Sequence, residues 1–413
     1  MPFIRRFREE FSFVKGNYAV LILSWILIDF ASEIPMAYYA LYVLGLGATE
    51  TIVGTIGLFQ FLALASMQFP GGYIADKFGR KSIICLMTFG VALSYFFYAL
   101  APSWHFILLG AVLMAVFNST YQPALMAMIA DSLPPEKRGM GFGIVTLIAS
   151  VSTTPGPVIA AFLCSRFGLM DGMRAGYGIV VALFLTAAFL RLFRLKETVK
   201  VAVKPSVTEL WKSYPVAVKE SLSVYNRMAR SLYYLVWAAI IGQFGFSAVM
   251  LFFPVYAVNE LLIDKTIWGV LLTAAPVTTI ILSIPIGKFV DKVNRKIPTL
   301  LACLLFALSM WFFVYGNVPL ILLSLILVGA GQVMMNTGFR ALLADLTPKM
   351  ERGRVNAFMN FASFLFSALG NFAGGFLYEH VSPRLPFYVA IASTVPVFML
   401  TALFVKEPKE REK

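Results

Sequence analysis

Long apolar runs separated by short polar segments account for nearly the whole chain. Twelve such runs fall at roughly 18–44, 50–74, 82–101, 104–130, 140–165, 174–194, 232–258, 266–288, 297–316, 319–344, 355–379 and 385–405. Each is long enough, as a helix, to cross a hydrocarbon core about 30 Å thick. Lipid offers no partner to unpaired backbone groups, so an isolated apolar run must cross as a helix. The alternating segments of about ten residues that a membrane barrel needs are missing. Six runs come first, then a polar stretch at 195–231, then six more. The pattern predicts an all-α membrane protein of twelve transmembrane helices in two six-helix bundles, at 1–194 and 232–413, with 195–231 as a linker.

The two halves repeat in parallel. Gly72, Asp76, Arg80 and Lys81 recur 215 residues later as Gly287, Asp291, Arg295 and Lys296. A second set, Asp131, Pro134, Arg138 and Gly139, recurs 214 residues later as Asp345, Pro348, Arg352 and Gly353. Both motifs are short charged loops between apolar runs.

Composition agrees: 59% of residues are hydrophobic and 13% charged, against about one quarter charged in soluble domains. The net charge of +13 is explained by topology. With both termini in the cytoplasm, 29 of the 34 lysines and arginines flank the membrane on that side, including the span-end residues Arg191, Arg194 and Lys288. Arg166, Arg174, Lys265 and Arg384 fall outside, and Arg340 alone falls well inside a span. Such a bias orients a multi-pass protein in the cell membrane. A charge spread over membrane-flanking segments calls for no nucleic acid. Part of 205–231 is either an amphipathic segment on the anionic inner leaflet or a plain solvated linker. The first run reads as a retained helix rather than a signal peptide. Cys85, Cys164 and Cys303 read as small buried hydrophobes, and His105 and His380 stand too far apart for a metal site.

This loop motif and topology resemble the major facilitator superfamily, whose loop between spans 2 and 3 reads Gly-x-Leu-Ala-Asp-Arg-x-Gly-Arg-Lys/Arg. Gly72, Ala75, Asp76, Gly79, Arg80 and Lys81 match it; Ile74 and Lys77 depart conservatively, and the second copy has Asn294 where a glycine belongs. The resemblance implies a cytoplasmic latch between the halves in the outward-open state, in which the glycine allows close helix approach. It also implies pairing of Arg80 with Asp131 and of Arg295 with Asp345. The same two acids could instead serve substrate or protons. Gly143, Ser152, Gly156-Pro157, Ala160 and Ala161 in span 5 resemble the motif of drug/proton antiporters, with small residues replacing three glycines. Span 4 lacks the arginine that many proton-coupled members carry there.

Asp29 and Glu33 lie about 11 and 15 residues after Tyr18, near mid-membrane, and are the only acids deep within a span. Their i, i+4 spacing shares a helix face. A carboxylate at that depth costs roughly 2.5–3.5 kcal/mol on insertion scales, so the pair is a candidate proton or substrate site. The competing reading is a structural hydrogen bond or a buried pair with a base. Arg340 either pairs with Asp345, reaching the surface, or lines a cavity as a cation. Gln332, Asn336 and Arg340 share one face of span 10, and Asn118 and Gln122 share one face of span 4 at the matching offset. Spans 1, 4, 7 and 10 line the cavity in the resembled family, which adds Gln243, with Asn360 in span 11 beside it. Gln243 also fits a role as interhelical glue.

No Gly-x-x-x-x-Gly-Lys-Ser/Thr loop occurs, and the polar loops are too short for an ATPase domain. The expectation is a secondary transporter, not an enzyme, with no cofactor, working as a monomer in the lipid bilayer on a small-molecule substrate and protons. Proton-coupled efflux of hydrophobic or cationic compounds is the first reading. Import or flipping of a sugar, organic anion or lipid is the second.

Overall fold

The computed structural model describes residues 13–68, 79–199, 225–348 and 351–406, with a few isolated positions between them. Gly72, Asp76 and most of the expected linker lie outside the described residues, as does the Asp291 side chain. Among the described residues the regular structure is helical.

The principal helices are α1 (Gly16–Glu33), α2 (Tyr39–Gly45), α3 (Glu50–Met67), α4 (Arg80–Ala99), α5 (Trp104–Asp131), α6 (Arg138–Thr153) and α7 (Gly156–Arg194). The second half contributes α8 (Arg230–Met250), α9 (Lys265–Leu271), α10 (Ala274–Lys292), α11 (Lys296–Tyr315), α12 (Val318–Met334), α13 (Arg340–Leu346), α14 (Arg352–His380) and α15 (Leu385–Met399). Eleven apolar stretches among them can cross a bilayer. The longest, Pro135–Arg194, has 60 residues and would extend about 90 Å if straight, three times the hydrocarbon core. It reverses at Gly168, where φ is +78°, a conformation glycine reaches without a Cβ penalty. It therefore makes two crossings, and the total among the described residues is twelve.

Helices pack mainly within their own half: α4 against α5 and α7, α1 against α7, and in the second half α8 against α14 and α15, α11 against α12. The halves meet through α3 against α14, α9 against α7 and α10 against α6. The α3–α14 contact continues along the helices to Phe61 and Phe364, and its closest backbone approaches lie at one face of the bundle. Positions where Cβ atoms at Gly54 and Gly375 would sit lie 3.2 Å from each other's Cα atoms, and one at Gly57 would lie 2.9 Å from the Asn371 side chain. Trp268, fully buried, donates from Nε1 to the Ala37 carbonyl at 3.1 Å, and the Tyr38 hydroxyl donates to the Lys265 carbonyl at 2.5 Å. The Thr51 amide donates to Glu379 Oε2 at 2.8 Å. With small residues in contact, backbones approach closely and shut this end; it is the sealed face. The opposite end carries the repeated charged motifs and is the motif face.

Candidate functional site

At the motif face the repeats make matched clasps. Arg80 is ion-paired with Asp131, and Arg295 with Asp345. Arg138 donates to the Ala130 carbonyl at 3.2 Å, and its counterpart Arg352 donates to the Ala344 carbonyl at 3.0 Å. Beside these clasps the halves use different devices. Glu197 accepts from the amides of Arg80 and Lys81 at 3.1 and 3.0 Å, placing an anion at the positive end of α4. In the second half Lys296 instead donates to the Val405 carbonyl at 3.0 Å, at the end of the last span. Among the described residues no atom lies within 4 Å of where a Cβ on Gly287 would be, so the close approach expected of this glycine in the outward-open state is not made here with a described residue.

A cavity of about 710 Å³ runs between helices of the second half and reaches the motif face at Arg352. Its lining includes the amides Gln243, Gln332, Asn336, Asn356 and Asn360, the bases Arg340 and Arg352 and several hydroxyls, beside an apolar part with Phe246, Phe306, Met310, Phe339 and Met359. The wall is turned by a π-helical stretch at Met335–Phe339, immediately before Arg340, the kind of helix irregularity that recurs at functional sites. Gln243 fills both expected roles. It lines the cavity and donates to Ser367 Oγ at 3.0 Å, tying α8 to α14. Arg340 is exposed to the cavity and makes no hydrogen bond or ion pair with a described residue. The expected alternative, pairing with Asp345, is displaced because Arg295 holds that carboxylate.

Asp29, Glu33, Asn118 and Gln122 do not line this cavity; the structure divides the expected set between the halves. Gln122 donates to Asn118 Oδ1 at 3.4 Å. Asp29 and Glu33 are half-buried, and neither forms an ion pair with a described residue. Glu33 ends α1, two residues before the break at Pro35. A carboxylate at a helix C-terminus faces the negative end of the dipole, so stability does not account for it. A Cβ on Gly156 would lie 2.7 Å from Glu33 backbone and side-chain carbons. The kink of span 5, between α6 and α7, thus presses directly on the break in span 1. In the antiporter-like motif, Gly156 has this packing reason and Pro157 opens α7, its carbonyl facing Gly269 of α9. Gly143 has open space.

Arg191 overturns the expectation that Arg340 is the only base well inside a span. It lies in the last turn of α7 yet is 1% exposed. Its Nε donates to Ser24 Oγ at 2.9 Å and Nη1 to Thr88 Oγ1 at 2.7 Å, and its guanidinium stands 5.6 Å from the Tyr121 ring. Side chains on a helix lean toward its N-terminus. An arginine ending this span therefore reaches back into the bundle rather than out to the surface. The first half thus holds the basic residue that span 4 lacks, delivered by span 6.

Comparison with known proteins places this geometry. The model of the Major Facilitator Superfamily matches residues 20–264 and 235–413. The multidrug resistance protein MdtH of Photorhabdus laumondii is 28% identical over 370 residues, covering 87% of this chain and 87% of that one. The multi-drug resistance efflux pump PmrA homolog of Lactococcus lactis is 25% identical, covering 88% and 89%. Among solved structures, a point mutant of the nucleoside transporter NupG superposes with a TM-score of 0.70 at 14% identity, over 93% of this chain and 98% of that one.

Proposed function

Because the chain belongs to the Major Facilitator Superfamily, we propose that it is a proton-coupled exporter of hydrophobic small molecules. One observation carries the reading: the halves touch backbone to backbone at one face while a cavity reaches the other. That is one end state of alternating access, in which two repeats rock about a central site. The basic residues put the motif face in the cytoplasm. The cavity then opens inward, as an exporter needs when it loads cargo. Two relatives named for multidrug resistance or efflux, aligned over most of their length, support the direction.

Asp29 and Glu33 would carry the coupled proton. They sit where α1 breaks and where span 5 kinks, so a change in their charge acts on helices that must move. The Arg80–Asp131 and Arg295–Asp345 clasps each lie within one half and are already made here, so closing the cytoplasmic side would take contacts between the two motif regions, in which Gly287 would meet a neighbour. The expectation of cationic cargo rested on the acid pair, which the cavity does not include. The test is transport in proteoliposomes under an imposed pH gradient, with dansylglycinamide as a neutral hydrophobic probe. Wild-type protein moves the probe against its gradient and Glu33→Gln does not; full gradient-driven transport by Glu33→Gln would remove the role of Glu33.

A further inference from the structure

We infer that the second-half cavity is built around an anionic group: its cargo is an amphipathic molecule bearing a carboxylate, sulfonate or similar anion that Arg340 binds. This deepens the proposed function and rests on reading the cavity as the transport site.

The argument is one of unmatched charge. The cavity is lined by two bases and, among the described residues, no acid. Arg352 is committed, donating to the Ala344 and Thr347 carbonyls at 3.0 and 3.3 Å, where it caps the end of α13. Arg340 has no such partner among the described residues, and Asp345, the acid nearest it in sequence, belongs to Arg295. Arg340 is exposed to the cavity, so its guanidinium can take a ligand there, and its donor fork matches a carboxylate or a similar oxyanion. Around it stand amides rather than acids: Gln332 and Asn336 on its own span, Asn356 and Asn360 on α14. Amide groups donate to an anion and add no competing charge. The aromatic and methionine side chains opposite accept an apolar body. A lipophilic cation would meet Arg340 and find no carboxylate.

The experiment uses three probes sharing one fluorescent body: dansylglycine (anion), dansylglycinamide (neutral) and dansylcadaverine (cation). Their affinities are measured by fluorescence with the full chain in phosphatidylcholine nanodiscs. Wild-type protein prefers the anion to the amide by roughly ten- to a hundredfold, the range of one hydrogen bond to a charged group, and binds the cation weakest. Arg340→Gln removes that preference, and Arg340→Lys retains part of it. Equal wild-type affinities, a preference for the cation, or an unaltered preference in Arg340→Gln each overturns the inference. The wild-type comparison needs no variant and so does not depend on folding of a mutant. Replacing part of the lipid by phosphatidylglycerol leaves dansylglycine affinity unchanged; strong competition would give the site to a lipid headgroup and overturn the small-molecule assignment. Failure of the export reading shows separately. If wild-type protein moves dansylglycinamide under a gradient but binds all three probes alike, only the anion assignment falls.

Discussion

Replacing Gly54 by leucine should force the sealed face open. The Gly54 Cβ position already lies 3.2 Å from the Gly375 Cα and 3.3 Å from the Asn371 carbonyl carbon. Carbon atoms rest at about 3.5–4.0 Å, so even one methyl group overlaps, and the rest of a leucine needs α3 and α14 to part. Both partners are backbone and cannot rotate aside. Overpacking of this kind costs about 1–3 kcal/mol, which corresponds to roughly a 5- to 150-fold shift between two states a few kcal/mol apart. The bundle can relieve the strain by adopting the state in which these helices separate. The assay is cross-linking of Thr51→Cys to Glu379→Cys by a short bismethanethiosulfonate, with Cys85, Cys164 and Cys303 replaced. Thr51 and Glu379 are hydrogen-bonded across the seal. Gly54→Leu should lower the yield severalfold, whereas Gly178→Leu, which meets nothing within 4 Å, should leave it alone. Undiminished cross-linking in a folded Gly54→Leu protein would refute the claim that backbone contact at these glycines holds the seal.

Other tests follow from single contacts. Gly156→Ala should impair coupling, because its methyl would press on Glu33 at 2.7 Å, while Gly143→Ala, with open space, should be tolerated; gradient-driven transport compares them. Thr88→Val should lower stability by about 1–3 kcal/mol by leaving a buried guanidinium N–H unpaired. Combining it with Arg191→Met should cost less than the sum of the two, read from thermal unfolding in detergent. Asp264 accepts from the amides of Thr266 and Ile267 at 2.8 and 3.3 Å, and those bonds hold its carboxyl below the usual carboxylate range. A folded-state value below the unfolded one gives stability that is present at neutral pH and lost as pH falls through the folded value. Protection from hydrogen exchange at the start of α9, relative to the intrinsic rate at each pH, should therefore fall only in acid, and Asp264→Asn should abolish that pH dependence.

The crossings were legible because lipid imposes one rule on every apolar run. The pairing of Arg80 with Asp131 and of Arg295 with Asp345 came from the family resemblance, and the recurrence of both partners together supported it. What escaped depended on direction rather than position. Arg191 counted as a surface residue because it ends a span, yet its side chain leans inward to Ser24 and Thr88. The seal escaped because glycine spacing marks a packing face without naming the partner. Gly370 and Gly374 pack on α8, whereas Gly375, one residue on, packs on α3. The division of the polar residues also lay beyond sequence: the 214-residue offset aligned Asn118 and Gln122 with Gln332 and Asn336, but only the second pair faces the cavity.

Substrate-dependent proton flux tests the central claim most directly. Protein is reconstituted in proteoliposomes containing a pH-sensitive dye, and dansylglycinamide or dansylglycine is added without an imposed gradient. Wild-type protein should move protons when probe is added and not before, and Glu33→Gln should bind the probe while moving none. Probe transport by wild-type protein with no proton movement, or wild-type flux in Glu33→Gln, would contradict the account.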